Sequence, residues 1–215
     1  MRETASGAGD PRPARSRATI VTAATEHFLE HGYVGSNVDR IADEAGVSKR
    51  TVYNLFETKE RLFRAVVEST TDIAEGFARD LHEGPVGVRP LEVELRELAL
   101  NHATAVLNPR VVRVRRLLIG EAARFPDLAR EYYRRAPALV MDAIRRRLER
   151  YAALGSIALP DAALASEHFA FLVLGATLDR ALFESAATAP RAALEARAVA
   201  GAEAFLTLYG RSLGA

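Results

Sequence analysis

The sequence predicts an all-α fold, and three observations carry that reading. Apolar residues recur at helical spacing through long segments separated by glycine and proline breakers. No stretch alternates apolar and polar residues as a half-buried strand would, and Ser36 to Phe56 reads as two short helices joined by a tight turn. The 215 residues suit one large or two small domains, and the 9 prolines and 14 glycines fall mostly between the periodic segments. Cysteine is absent, so disulfides and thiolate metal sites are excluded and the fold rests on packing. No early apolar stretch approaches the roughly 20 residues of a bilayer span, and the N-terminus is polar rather than signal-like, so a cytoplasmic protein without membrane contact is expected.

Residues 1–14, MRETASGAGDPRPA, combine Gly, Pro, Ser and charge without an apolar period, which predicts a disordered basic arm. Arg12, Arg15 and Arg17 either reach phosphates or a minor groove or stay solvated.

The helix pair follows. Ser36 is placed to cap the first helix, with Asp39 three residues on as the acidic partner of a capping box. Val38, Ile41, Ala42 and Ala45 make its inward face, Gly46 supplies the left-handed residue that stops it, and Val47 plugs the angle. Ser48 is the natural N-cap of the second helix. Val52, Leu55 and Phe56 point back to the core, leaving Lys49, Arg50, Thr51, Tyr53 and Asn54 outward. Cations at a helix N-terminus suit phosphate, while Thr51 and Asn54 can hydrogen-bond base edges or phosphates. The competing reading is an ordinary helical hairpin with a solvated polar face.

With its flanks, this segment resembles the TetR family of bacterial transcriptional repressors. The pattern GY, IA, AGVS, YxxF, KE recurs at that family's spacings over the first third of the chain. ATIVTAATEHFLEHGYVGSNV looks like the family's first helix, with Ile20, Ala23, Ala24, Phe28 and Leu29 buried and Gly32 and Tyr33 ending it. ETKERLFRAVVE looks like the start of its fourth, capped by Thr58, with Glu60 in the first turn and Leu62, Phe63, Val66 and Val67 continuing an apolar stripe. The resemblance implies DNA-contact roles for Thr51, Tyr53, Asn54 and Lys59, with Ser36, Ser48, Lys49 and Arg50 around them. It also implies a three-helix helix-turn-helix DNA-binding domain at 15–60 and a helical effector-binding and dimerisation domain at 61–215.

Net charge is only +1, and residues 1–70 hold ten basic and ten acidic side chains, so any nucleic-acid affinity depends on placement. Glu26, Glu30, Asp43 and Glu44 lie on the first two helices, while Lys49, Arg50 and Lys59 gather at the recognition helix and the helix after it. This predicts modest nonspecific affinity and reliance on the paired half-sites of a dimer.

In the second part, GPVGVRP at 84–90 reads as a loop. Helices are expected near 90–107, 109–123, 126–154, 161–186 and 190–211, with Pro137 kinking or dividing the third. RLLIGEAARFPDLAREYYRR, from Arg116 to Arg135, is similar to part of some TetR-family ligand domains. Apolar residues cover most of DAALASEHFAFLVLGATLDRALFE, including Leu164, Phe169, Leu172, Val173, Ala176 and Leu182. Together with Phe205 they predict a surface that a second protomer covers, unless they are simply the monomer core. Gly175, Ala176 and the Ala-rich 192–204 run permit close helix approach.

Phe77, His82, His102, Leu107, Phe125, Tyr132, Tyr133, Met141 and Phe171 are candidate linings of an effector cavity, each also readable as plain core. Arg113 and Arg116 either meet an anionic effector or pair with Glu121. Arg145, Arg146, Arg147 and Arg150 read as a solvated, ion-paired surface. His27 and His31 stand four apart without a third ligand, so no metal is expected, nor any other cofactor.

The chain has no GxSxG, GxxxxGK, strand-borne GxGxxG or HExxH motif, so nothing motivates an enzyme. The expected function is a homodimeric, one-component repressor that binds a palindromic double-stranded DNA operator and is released by a small-molecule effector. In that reading the fourth helix links the ligand domain to DNA. The alternatives are an effector-independent DNA-binding regulator and a helical enzyme.

Overall fold

The computed structural model describes residues 11–184 and 190–210, and every described element of regular structure is a helix. The chain divides into two compact units at Ser69/Thr70.

The first unit contains α1 (Pro11–Gly35), α2 (Val38–Glu44), α3 (Lys49–Phe56) and α4 (Lys59–Glu68). Residues 1–10 of the expected arm lie outside the described residues. Pro11 to Ala14 instead form the first turn of α1, a position that tolerates proline because its N–H would be unpaired there anyway. Arg17 is correspondingly no part of an arm: its guanidinium lies 4.7 Å from the Phe56 ring centroid. The core joins Ile20, Ala24 and Phe28 to Ile41, Val52, Phe56, Leu62, Phe63 and Val66, all at most 3% exposed. Phe63 meets Phe28 and Tyr33 edge-on at 5.2 and 5.1 Å. Each such ring is worth about 1.5–3 kcal/mol of burial. α4 therefore belongs wholly to this unit, which extends to Ser69 rather than ending at 60.

The second unit contains α5 (Thr71–Glu83), α6 (Leu91–Val106), α7 (Pro109–Glu121), α8 (Pro126–Arg135), α9 (Pro137–Ala153), α10 (Ala162–Leu174), α11 (Ala176–Phe183) and α12 (Arg191–Tyr209). Pro137 divides the expected 126–154 helix in two. The expected 161–186 helix is also broken: Gly175 adopts φ 48°, ψ −146°, and α10 and α11 meet at a 60° bend. α12 packs on both α6 and α10.

That packing corrects the dimerisation reading. Phe169 and Phe205 are fully buried within the protomer, edge-to-face at 5.2 Å, so neither is available to a partner. The small residue Gly201 is likewise spent on the α10–α12 contact, and Ala198 and Ala202 are fully buried. A Cβ at Gly201 would stand 2.7 Å from the Val173 Cα.

Loop 84–90 is held by a buried carboxylate. Glu94, 4% exposed, accepts the backbone N–H groups of Gly87, Val88 and Arg89 at 3.0–3.1 Å. Burial opposes its charge, but the amide of Arg89, the Tyr151 hydroxyl and the amides of Gly87 and Val88 outweigh that and hold Glu94 below the ordinary glutamate range. Arg147 donates to the Tyr151 hydroxyl and to the Gly84 carbonyl, and Arg150 donates to the carbonyls of Leu81 and His82. These two arginines thus satisfy the C-terminal end of α5 instead of forming a solvated surface, whereas Arg145 and Arg146 do form ion pairs, with Asp142 and Glu149.

Two stability effects are expected. Gly201→Ala forces backbone apart between α10 and α12 and should cost about 1–3 kcal/mol in chemical denaturation. Glu94→Gln should cost about 1.5–3 kcal/mol at neutral pH. Because the folded carboxyl titrates below its unfolded value of about 4.3, the wild-type advantage is complete above that pH. It shrinks as pH falls toward the lowered folded value, so denaturation of both proteins across pH 3–7 should show the gap closing at the acid end.

Candidate nucleic-acid interface and effector cavity

α2 and α3 are joined by a turn that the sequence dictates closely. Gly46 takes φ 65°, its N–H meets the Asp43 carbonyl at 3.1 Å, and the Val47 N–H meets the Ala42 carbonyl at 3.0 Å, the paired bonds of a Schellman stop. Ser48 then caps α3 by accepting the Thr51 N–H at 3.1 Å, and its hydroxyl lies 2.8 Å from that of Thr51. Val52 and Phe56 anchor α3 while Lys49, Arg50, Tyr53 and Asn54 are exposed, Tyr53 by 41%. The outward set expected on this helix therefore shares one face, with Thr51 and Leu55 half-buried at its edge.

Lys49 is paired with Asp39 of α2 at 2.7 Å, and that hydrogen-bonded carboxylate raises its pKa above the usual lysine value. A phosphate would have to compete with Asp39 for it.

Ser36 requires correction. It is 6% exposed, and its hydroxyl donates to the Gly32 carbonyl at 2.5 Å where α1 breaks (φ 66°), so it neither caps α2 nor presents its side chain to a ligand. Asn37 is the cap, accepting the Asp39 N–H at 2.8 Å. Apolar spacing alone cannot separate two adjacent polar residues when a helix break moves the register.

Lys59 is drawn into the same corner. Its ammonium donates to the carbonyls of Val34 and Ser36, at 3.3 and 2.5 Å, and lies 4.7 Å from the Tyr33 ring centroid. His27, 5% exposed, bridges the corner from below: Nε2 accepts the Asn37 N–H at 3.3 Å, so the ring proton sits on Nδ1, which meets Glu44 at 2.9 Å. Both ring nitrogens are thereby used in packing α1 to α2. Between α3 and α4, Glu57 has φ 59° and spans a 2.6 Å bond from the Thr58 N–H to the Phe56 carbonyl, a tight γ-turn of the strained hand.

The second unit contains a half-open cavity of about 110 Å³. Of the expected linings, His102, Met141 and Phe171 border it, as does Tyr132. Phe77, Leu107 and Phe125 do not, and the 64% exposed Tyr133 borders a separate depression. Phe77 instead packs beside the His102 ring at 5.9 Å. The sequence reading missed Arg115, which lines the cavity one residue from the proposed Arg116. Arg116 turns away to the Ala181 carbonyl. Valines at 111, 112 and 114 mark the buried side of α7, and Arg115, one turn beyond Val111, was the available signal.

Comparison with known proteins matches these two parts separately. Residues 20–66 match the model described as bacterial regulatory proteins, tetR family, and residues 93–211 match AefR-like transcriptional repressor, C-terminal domain. The HTH-type transcriptional activator FasR of Mycolicibacterium smegmatis is 42% identical over 62 residues, 29% of this chain and 28% of FasR, so the chain matches under a third of that regulator's length. A solved TetR-family transcriptional regulator from Mesorhizobium loti is 32% identical over 94% of this chain and all of its own, with a TM-score of 0.81. The flavonoid-responsive regulator FrrA is 28% identical over 92% of this chain and 98% of its own, at TM-score 0.67. A capped, outward-facing α3 in a helix-turn-helix, a helical second unit and similarity along nearly the whole chain agree: this protein belongs to the TetR family of transcriptional regulators, a family without enzymatic activity.

Proposed function

We propose that the chain is a cytoplasmic, homodimeric repressor that binds a palindromic DNA operator through two copies of α3 and releases it when a small organic molecule occupies the cavity of the second unit. The exposed face of α3, with Arg50, Tyr53 and Asn54 held outward by buried Val52 and Phe56, carries this reading. Repression rather than activation is supported by the AefR-like repressor match, although FasR is an activator. FrrA's response to flavonoids supports an organic effector here.

A second copy is the natural cover for the apolar side chains left on α10 to α12. Leu164, Phe183 and Leu208 are 46–87% exposed, and Leu172 and Ala176 are not part of the fully buried core. Twofold pairing spaces two recognition helices by about one turn of DNA. Release requires that the effector bind the DNA-incompetent arrangement more tightly, since equal affinity for both shifts nothing. Along the chain, Ser69 caps the end of α4 and Thr70, the next residue, lines the cavity. In this reading effector and operator affinity are coupled through the segment that joins α4 to α5.

Selection of bound sequences from a random duplex library by the purified protein should recover a palindrome bound by a dimer, with affinity falling steeply with salt. Absence of enrichment at low salt would remove the regulator reading. Tyr53→Ala should weaken operator binding by about 1–3 kcal/mol while leaving the melting curve unchanged. Lys59→Met should lower both, because it removes a phosphate contact and the ligand of two backbone carbonyls at once. A Lys59→Met protein with wild-type stability would show that the corner does not need its ammonium.

A further inference from the structure

The cavity of the second unit has one polar feature that the fold does not explain. His102 is 2% exposed, and neither ring nitrogen has a hydrogen-bond partner. The Ala170 carbonyl is the one backbone acceptor that favours a protonated ring, and it stands outside good hydrogen-bond geometry for either nitrogen. Burial, and after it the charge of Arg115, push its pKa down to about 4, so the ring is neutral at physiological pH and offers one donor and one acceptor. An unpaired buried polar group normally costs about 1–3 kcal/mol, which makes a buried, unpartnered imidazole bordering the cavity a costly arrangement unless something fills it.

The rest of the lining is selective in a consistent way. Ala74, Val106, Val111, Val140, Ala170 and Leu174 are buried and apolar, and among the described residues no acidic one borders the cavity. Among the described residues Arg115 is the one basic side chain in the lining besides His102. It is half-buried, and its Nε reaches the Tyr132 hydroxyl only at 3.5 Å, so the guanidinium retains donor capacity. Phe171 is the sole exposed member of the lining among the described residues and marks the open side. A volume of about 110 Å³ is comparable with the roughly 150 Å³ apolar cavity that takes benzene.

We infer that this cavity binds a one-ring apolar molecule carrying a single oxygen acid, a phenol or a carboxylic acid, whose oxygen is held by His102 and Arg115. This deepens the effector reading and rests on it. A phenol hydroxyl donates to the unprotonated His102 nitrogen and accepts from Arg115, and a carboxylate accepts from the His102 N–H and the Arg115 guanidinium. A hydrocarbon of the same size leaves both nitrogens of His102 unpaired, and an ammonium meets the Arg115 charge with no carboxylate to hold it.

Calorimetry on the full-length, DNA-free protein with phenol, benzoate, toluene and benzylamine tests this. Phenol and benzoate should bind with dissociation constants of roughly tens of micromolar to millimolar, about tenfold or more tighter than toluene, and benzylamine should not bind. His102→Phe should erase the preference of phenol over toluene. Arg115→Met, at a half-exposed position that the fold tolerates more readily, should weaken benzoate more than phenol. Toluene binding as tightly as phenol and benzoate, measurable benzylamine binding, no binding by any probe, or preferences unchanged in Arg115→Met would each overturn the assignment. Operator affinity measured in parallel without probe separates the two readings: intact DNA binding with no probe preference removes only this inference, and lost DNA binding with the preference intact removes only the regulator.

Discussion

Backbone groups left unpaired where α1 breaks at Gly32 govern what the first unit presents to solvent. α2 and α3 have 7 and 8 residues, well below the roughly 12–15 at which an isolated helix is even marginal in water, so tertiary contacts must supply their geometry. Those contacts converge on one corner. Ser36 answers the Gly32 carbonyl, Lys59 answers Val34 and Ser36, and His27 answers the Asn37 amide while its other nitrogen reaches Glu44. Four chain segments are thereby tied through a few polar atoms, and the direction of α3 is inherited from that tie.

This explains which parts of the molecule were legible in the sequence. The α2–α3 turn was readable because its determinants are local: Gly46 for the left-handed stop, Ser48 for the cap, Val52 and Phe56 for the buried side. Ser36 was misread because its hydroxyl is claimed by a carbonyl that exists as an acceptor only once Gly32 has left the helix. In the second unit, small residues and a broad apolar surface indicated close helix contact but not with which helix. Gly201 and Phe205 proved to serve α10 of the same chain. His102 stood out as a polar residue on an apolar face, whereas Arg115 was one of several arginines on α7 until the fold turned it inward.

The same contrast runs through the arginines of α9. Arg145 and Arg146 are tied to Asp142 and Glu149 at the surface, where such pairs contribute roughly 0–1 kcal/mol. Arg147 and Arg150, a turn apart on another side of the helix, terminate α5 by taking its last carbonyls. Identical residue types within one short run thus do different work, decided by which neighbour has unpaired backbone to offer.

The Glu94 network has a practical side for anyone building a reporter from this scaffold. Exposed loops rich in glycine and proline are the usual places to splice in a tag or a second domain. Residues 84–90 look like such a place, yet three of their amides are consumed by one buried carboxylate and the Gly84 carbonyl by Arg147. An insertion there would leave Glu94 charged and dehydrated inside the domain, so this ordinary-looking loop is among the least permissive joints in the chain.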